Sequence, residues 1–236
     1  MTNWRPTIGV HLAYLTADRI GVTSPEHFTT VNSTLTQFGL EMQSLPTLRA
    51  FMFASSGAAT KIATNHSLAW HPYSIAKAAD EAAFFTADAA KTTPTLAARL
   101  WSVSGPHCTR PRDYALTDMI LQCALTGQVS VKTQGIQMRR YVDAGEFLAS
   151  CLTFNLSGNS GVIDSSGELI EIRDLAQMIA EELGGRVESK QIDPTVEANL
   201  YYTDSNSMKD MSSTLSIAFT DLRAQIRHTA QGLVRK

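Results

Sequence analysis

The sequence predicts an α/β fold, and three observations predict it. Short apolar runs alternate with stretches of helical periodicity along the 236 residues, the pattern made when strands and crossover helices take turns. Helix boundaries carry their own chemistry, with Ser24-Pro25 opening one helix and Gly184 closing another. No internal repeat or low-complexity tract points to a solenoid, a coiled coil or a disordered chain.

Taken in order, Thr7 to Ala13 (TIGVHLA) reads as a buried strand. Ser24 then offers an N-cap and Pro25 a first helical residue. Phe28, Val31, Leu35, Phe38 and Met42 recur at spacings of three and four, one apolar stripe. Ala50 to Ala54 (AFMFA) is a second buried strand that ends in Ser55-Ser56-Gly57. Tyr73 to about Phe85 reads as a helix with Ile75, Ala79, Ala82 and Phe85 on its inner side. Leu96 to Val103 (LAARLWSV) is a third strand, stopped by Gly105-Pro106. Asp113 to Leu125 forms another helix, and Gly161 to Asp164 (GVID) a short strand. Ile172 to Leu183 is strongly patterned, with Ile172, Leu175, Ile179 and Leu183 inward and Gly184 as its C-terminal cap. A last helix starts at Thr220 as N-cap and turns Leu222, Ile226, Thr229 and Leu233 to one face. The change of character places a boundary near residue 105, giving regions 1–105 and 106–236.

Composition excludes several classes. With 44% hydrophobic and 18% charged residues and a formal net charge of −2, the chain has no basic excess to hold nucleic acid or an anionic membrane. No run approaches the ~18 apolar residues of a membrane span. The start, MTNWRPTIGVHLAYL, lacks the charged and apolar regions of a secretory signal. Cys108, Cys123 and Cys151 form no C-x-x-C, so no metal site or disulfide framework is expected. The expectation is a cytoplasmic protein with reduced thiols.

The chemistry centres on Tyr73-Ser-Ile-Ala-Lys77. Residues four apart share a helix face. An ammonium beside a phenol favours the phenolate and draws a tyrosine pKa from about 10 towards neutrality. Such a tyrosine exchanges protons with a substrate hydroxyl while hydride moves elsewhere. The same pair also fits a solvated Lys77 one turn beyond a half-buried Tyr73. Seventeen residues upstream of Tyr73, Ser56 follows a buried strand, where α/β folds place functional groups. It reads either as a hydroxyl that holds a reacting oxygen or as part of a strand-ending turn.

The order strand, FASSGA, YSIAK helix, RLWSVSGP resembles the extended short-chain dehydrogenases of the sugar-nucleotide epimerase/dehydratase type. Val10-His11-Leu12-Ala13 looks like that family's IHLAA strand, and Asn32 in VNSTLT like the asparagine of its N-V-x-G-T helix. Arg139-Arg140-Tyr141-Val142-Asp143 resembles the R-D-Y/F-V-D segment. GVIDSSGELIEIRDLAQMIAEELG and Tyr202-Thr-Asp204-Ser are similar to late elements of the substrate domain. The resemblance implies a truncated Rossmann-type doubly wound parallel sheet with a smaller α/β C-terminal substrate domain, some segments of which return to the Rossmann sheet. It implies Tyr73 as acid/base, Lys77 as its activator and ribose contact, and Ser56 as donor to a substrate oxygen. Ala13 and Asn32 would lie with Tyr73 and Lys77 at an NAD or NADP cofactor, and Ser102, Ser56 and Arg139 at a nucleotide-sugar substrate. Guanidinium suits the diphosphate because it binds phosphate oxygens bidentately. The helix before FASS and the YSIAK helix, with Ala78, Ala79, Ala82 and Ala83, would form a four-helix homodimer interface.

Several positions depart from the pattern. Family members open with G-x-x-G-x-x-G, where backbone meets the cofactor pyrophosphate, and about sixty residues of that opening half-sheet have no counterpart here. The one G-x-x-G cluster, Gly158 to Gly161, matches a later turn. Ser102 stands where asparagine is usual, Thr60 where tyrosine is, and Arg140 where aspartate is. Two readings follow: an NAD(P)-dependent enzyme working on a nucleotide-activated sugar by transient hydride transfer, or a non-catalytic relative that binds nucleotide sugar or pairs with a full-length partner.

Overall fold

The computed structural model describes residues 5–63, 72–88 and 93–234. In chain order its elements are β1 (Ile8–His11), α1 (Pro25–Gln43), β2 (Ala50–Ser56), α2 (Pro72–Asp88), β3 (Thr95–Leu100), β4 (Ser102–Ser104) and α3 (Ala115–Thr126). They continue with β5 (Gln128–Val131), β6 (Gln137–Asp143), α4 (Ala144–Leu156), β7 (Gly161–Asp164), β8 (Glu168–Glu171) and α5 (Ile172–Leu183). The last are β9 (Arg186–Ser189), β10 (Asn199–Tyr201), α6 (Ser207–Leu215) and α7 (Leu222–Val234). The chain divides into two compact units. The first runs through Leu100 and takes in Leu148–Asp164 and Ser213–Leu215, and the second holds Trp101–Phe147, Ser165–Ser212 and the residues from Ser216 onward. No helix among the described residues is long and apolar enough to cross a membrane.

The first unit is built on a parallel sheet of order β1-β2-β3-β7, the α/β architecture expected of the sequence. Parallel strands covered on both faces read as unbroken apolar runs. Ala50, Phe51, Met52 and Phe53 of β2 and Leu96, Ala97 and Ala98 of β3 are accordingly buried. The first strand is shorter than the expected residues 7–13. It buries only Gly9 and His11 and leaves Ile8 and Val10 exposed, so it has one covered row rather than two. Phe51, Phe53 and Phe84 form the centre of the core, with ring centroids 4.5 Å apart for Phe53 and Phe84. Each such ring contributes about 1.5–3 kcal/mol by burial.

Helices α1 and α2 bury the expected face only in part. Ser24 caps α1 by accepting the His27 N–H at 3.1 Å, with Pro25 in the first turn. The buried line of α1 is Phe28, Asn32, Gly39 and Gln43, while Phe38, expected inside, is 60% exposed. Polar residues take the inner line because their partners are there. Gln43 donates to the Phe84 carbonyl and Thr95 Oγ1, and Asn32 bonds the backbone of Leu15. Gly39 allows close approach, since a Cβ there would lie 2.7 Å from the Phe84 ring.

In α2 the expected Phe85 packs against Phe53, but the rest of the expected face is outside. Ile75 is 44% exposed, Ala79 and Ala82 are also exposed, and Ser74, Lys77, Asp80, Glu81 and Phe84 point inward. Glu81 explains the phase. Its carboxylate accepts Arg99 Nε at 2.7 Å and Arg99 Nη2 at 2.5 Å, and also takes the Ser55 hydroxyl. Arg99 Nη1 lies 3.8 Å from Asp164. One fork therefore ties α2 to β2, β3 and β7.

The expected strand Leu96–Val103 is two strands. Trp101 interrupts it, giving its N–H to Ser165 Oγ at 2.9 Å instead of to a ladder. Before it, β3 pairs with β2 and β7; after it, β4 pairs with β6.

In the second unit, β6 is flanked by parallel β10 and β4 and meets antiparallel β8, while β5 pairs with β9. Helices α3, α5 and α7 cover these strands with Leu116, Ile120, Leu175, Ile179, Leu222 and Ile226 in one core. Helix α5 spans the expected residues and stops at Gly184, φ +72°, where other residues would be strained. The final helix is capped by Asp221, which accepts the Ala224 N–H at 2.8 Å; Thr220, the expected cap, bonds Glu146 instead.

Two substitutions test this packing. Arg99→Met, which strands the Glu81 carboxylate, should lower unfolding free energy in urea by about 3 kcal/mol, the low end for a broken buried pair because Arg99 keeps some solvent contact. Gly39→Val should cost about 1–3 kcal/mol by overpacking against the aromatic cluster; an unchanged urea midpoint would contradict that close approach.

Candidate functional site

Parallel strands of an open α/β sheet end on one side, and ligands bind beyond those ends. Here β2 ends with Ser55 and Ser56, both buried. The Ser56 hydroxyl accepts the Ala58 N–H at 3.2 Å, so its own proton remains to be donated. The stretch just before α2 lies outside the described residues. Helix α2 then begins at Pro72 and brings Tyr73 into its first turn and Lys77 one turn later.

Lys77 is 4% exposed. Its Nζ donates to the Ala54 carbonyl of β2 at 3.0 Å and lies 3.7 Å from the Asp80 carboxylate. On a third side it sits 3.3 Å from the centroid of the Tyr14 ring, a cation–π contact. Burial pulls the ammonium down to about 8, against the opposing pull of Asp80 and Glu81. Tyr14 meets Tyr73 edge to face, with centroids 5.9 Å apart. Burial, then the Asp80 charge, pushes the Tyr14 phenol well above its usual range, so it is neutral at physiological pH. Burial raises Asp80 too, against the hydrogen bond from Thr36 at 2.7 Å and the Lys77 charge. His11 is held below its usual range by burial first and the nearby Lys77 charge second.

The other expected residues of this unit gather nearby in the chain's path. Ala13 is exposed two residues past the end of β1. Asn32 is buried, and its amide accepts the Leu15 N–H at 2.8 Å and donates to the Leu15 carbonyl at 3.2 Å. It thus fixes the backbone that follows Tyr14.

Ser102 and Arg139 belong to the second unit. Ser102, in β4, is half-buried opposite Tyr141 of β6. Arg139, in β6, gives Nη1 to the carbonyls of Met138 and Asn199 at 2.8 and 3.0 Å, and its guanidinium lies 5.7 Å from the Tyr201 ring. Burial lowers its pKa, opposed by Tyr141 and Tyr201. Arg140 bonds the Gly167 carbonyl and Asp204, both at 3.2 Å, a structural tie.

Sequence reasoning missed Tyr14, Thr36 and Asp80. Asp80 was within reach of it, three residues beyond Lys77 on the same helix. Tyr14 was not, because no spacing rule links an irregular segment to a helix 60 residues away.

No curated protein matches the sequence. Among solved structures, UDP-N-acetylglucosamine 4-epimerase from Methanobrevibacter ruminantium M1, in complex with UDP-N-acetylmuramic acid, is 18% identical, with TM-score 0.79 over 97% of this chain and 77% of that one. TunA, an NAD dependent NDP-hexosamine 5,6-dehydratase involved in tunicamycin biosynthesis, is 16% identical, with TM-score 0.75 over 99% and 78%. RMD from Pseudomonas aeruginosa, complexed with NADPH, is 16% identical, with TM-score 0.75 over 98% and 82%. These likenesses establish a Rossmann-type fold. The sequence of residues 1–162 matches the NAD dependent epimerase/dehydratase family, and the chain belongs to that family.

Proposed function

We propose that this protein is an NAD(P)-dependent enzyme that epimerises or dehydrates a nucleotide-activated sugar, with Tyr73 as its acid/base. The observation that carries the reading is Lys77: a buried ammonium, held by Ala54 at the end of β2, one helical turn from a tyrosine and beside the Ser56 hydroxyl's strand end. Burying a charge costs several kcal/mol, and this one lies where α/β folds bind ligands. The family over residues 1–162 supports the same reading.

The donor set suits a nicotinamide dinucleotide. Lys77 would hold the ribose hydroxyls, and Ala13 and the Asn32-fixed segment would border the ring. When bound, the cofactor supplies reversible hydride transfer. Tyr73 takes the proton of a sugar hydroxyl as the carbon beneath gives up hydride, and returns it in the reverse step. Ser56 donates to the reacting oxygen. On the substrate side, Arg139 has Nη1 engaged by Met138 and Asn199, so its Nε and Nη2 form the edge that takes the diphosphate. Ser102 would face the sugar.

The same reading includes a homodimer through α1 and α2. The exposure of Phe38, Ile75, Ala79 and Ala82 on these helices supports it, because apolar side chains at helical spacing gain from a second copy.

Isothermal titration should detect NAD or NADP binding, and a panel of nucleoside-diphosphate sugars should reveal one that is converted. Tyr73→Phe should lower turnover by about 10²–10⁴-fold while dinucleotide affinity stays within threefold. No heat from either dinucleotide would refute the cofactor role. Sedimentation equilibrium should give a dimer that Ile75→Glu converts to monomer, and a monomeric wild type would remove that interface.

A further inference from the structure

An ammonium has three N–H donors. In Lys77 three partners surround it: the Ala54 carbonyl at 3.0 Å, the Asp80 carboxylate at 3.7 Å and the face of the Tyr14 ring at 3.3 Å. These three contacts cover much of the ammonium.

The three are not equally held. Ala54 is part of β2, hydrogen-bonded between β1 and β3, so its carbonyl does not move without the sheet. Asp80 rides on the same helix as Lys77 and is gripped by the Thr36 hydroxyl at 2.7 Å. Tyr14 lies in irregular chain between β1 and α1. Its hydroxyl is sealed from solvent and turned toward Asp80. Its neighbour Leu15 is pinned at both backbone atoms by Asn32. Movement of Tyr14 is thus a side-chain rotation, not an opening of the segment.

We propose that Tyr14 is an internal cap on Lys77, whose ring covers the ammonium and rotates away when a ribose-bearing dinucleotide binds. The inference rests on the cofactor reading above for its ligand, and on the Lys77–Tyr14 contact alone for the cap. Tyr14 is a positioning residue. Its ring holds Lys77 in place, and it sets a threshold that the ligand's hydroxyls must exceed.

The test uses the full chain with isotope-labelled lysine, the Lys77 signal being assigned by its loss in Lys77→Met. An ammonium over a ring face places its ε-methylene protons in the shielding zone of that ring. In free wild-type protein the Lys77 signal should lie upfield of the other lysines. It should stay there in Tyr14→Phe, which keeps the ring, and join the others in Tyr14→Leu, which removes it. Added NAD or NADP should move the wild-type signal to the unshielded position. By calorimetry Tyr14→Leu should bind the dinucleotide about tenfold more tightly, the scale of one desolvated cation–π contact, and Tyr14→Phe should stay within threefold of wild type. An unshielded Lys77 in free wild type, or a shielded one in Tyr14→Leu, overturns the cap whether or not the dinucleotide binds. A shielded signal that persists at dinucleotide saturation overturns the displacement. Silence toward both dinucleotides, with the shielding intact, overturns the cofactor reading and the displacement together. Should Tyr14→Leu not fold, the wild-type and Tyr14→Phe spectra decide, an unshielded signal in either refuting the cap.

Discussion

The first unit depends on one fork. Arg99 leaves β3, grips Glu81 of α2 through two nitrogens and leans on Asp164 of β7, while Ser55 of β2 closes on the same carboxylate. Three adjacent strands and one helix thereby share a single set of charges. The pair is mostly buried, with Arg99 keeping some solvent contact, so breaking it by removing one partner is costly. It fixes both the rotation and the height of α2 against the sheet. Every residue of chemical interest on that helix inherits its position from this contact, since Lys77 lies one turn before Glu81 and Tyr73 two turns before.

That constraint explains where sequence reading succeeded and where it failed. Element starts were legible because they are local: Ser24 and Pro25 cap α1, Gly184 ends α5, and AFMFA is a strand. Helix phase was legible in α5 and α7, whose expected residues are buried or partly buried, but only in part in α1 and α2. Apolar periodicity pointed Phe38 and Ile75 inward, yet the buried lines of α1 and α2 carry Asn32, Gln43, Lys77, Asp80 and Glu81. A hydrophobic stripe marks a face that avoids water. It does not say which neighbour covers it, and buried polar side chains with partners can claim the inner face instead.

The proposed site divides the same way. Tyr73, Lys77 and Ser56 stand out in the sequence because the first two are a helix-face pair and the third ends an unbroken apolar strand. Arg139 and Ser102 came from the resemblance, and the structure adds that Arg139 already serves two backbone carbonyls and that Arg140 is a brace to Asp204. The environment of Lys77 could not be read. The phenol ring against its ammonium belongs to Tyr14, and only the tertiary fold brings residue 14 to residue 77. The structure sets the Tyr14 ring and the Asp80 carboxylate against Lys77.

The interruption at Trp101 has a bearing on how this sequence can change. Residues 95–104 serve two different ladders with Trp101 between them. Side chains alternate along extended chain, so shifting β4 by one residue against β6 would reverse the facing of its residues. Ser104, which donates to the buried Gln225, would exchange its face with Val103. Most connections tolerate changes in length; this one has the length of a gear tooth, and its neighbours on both sides can drift in identity far more freely than in number.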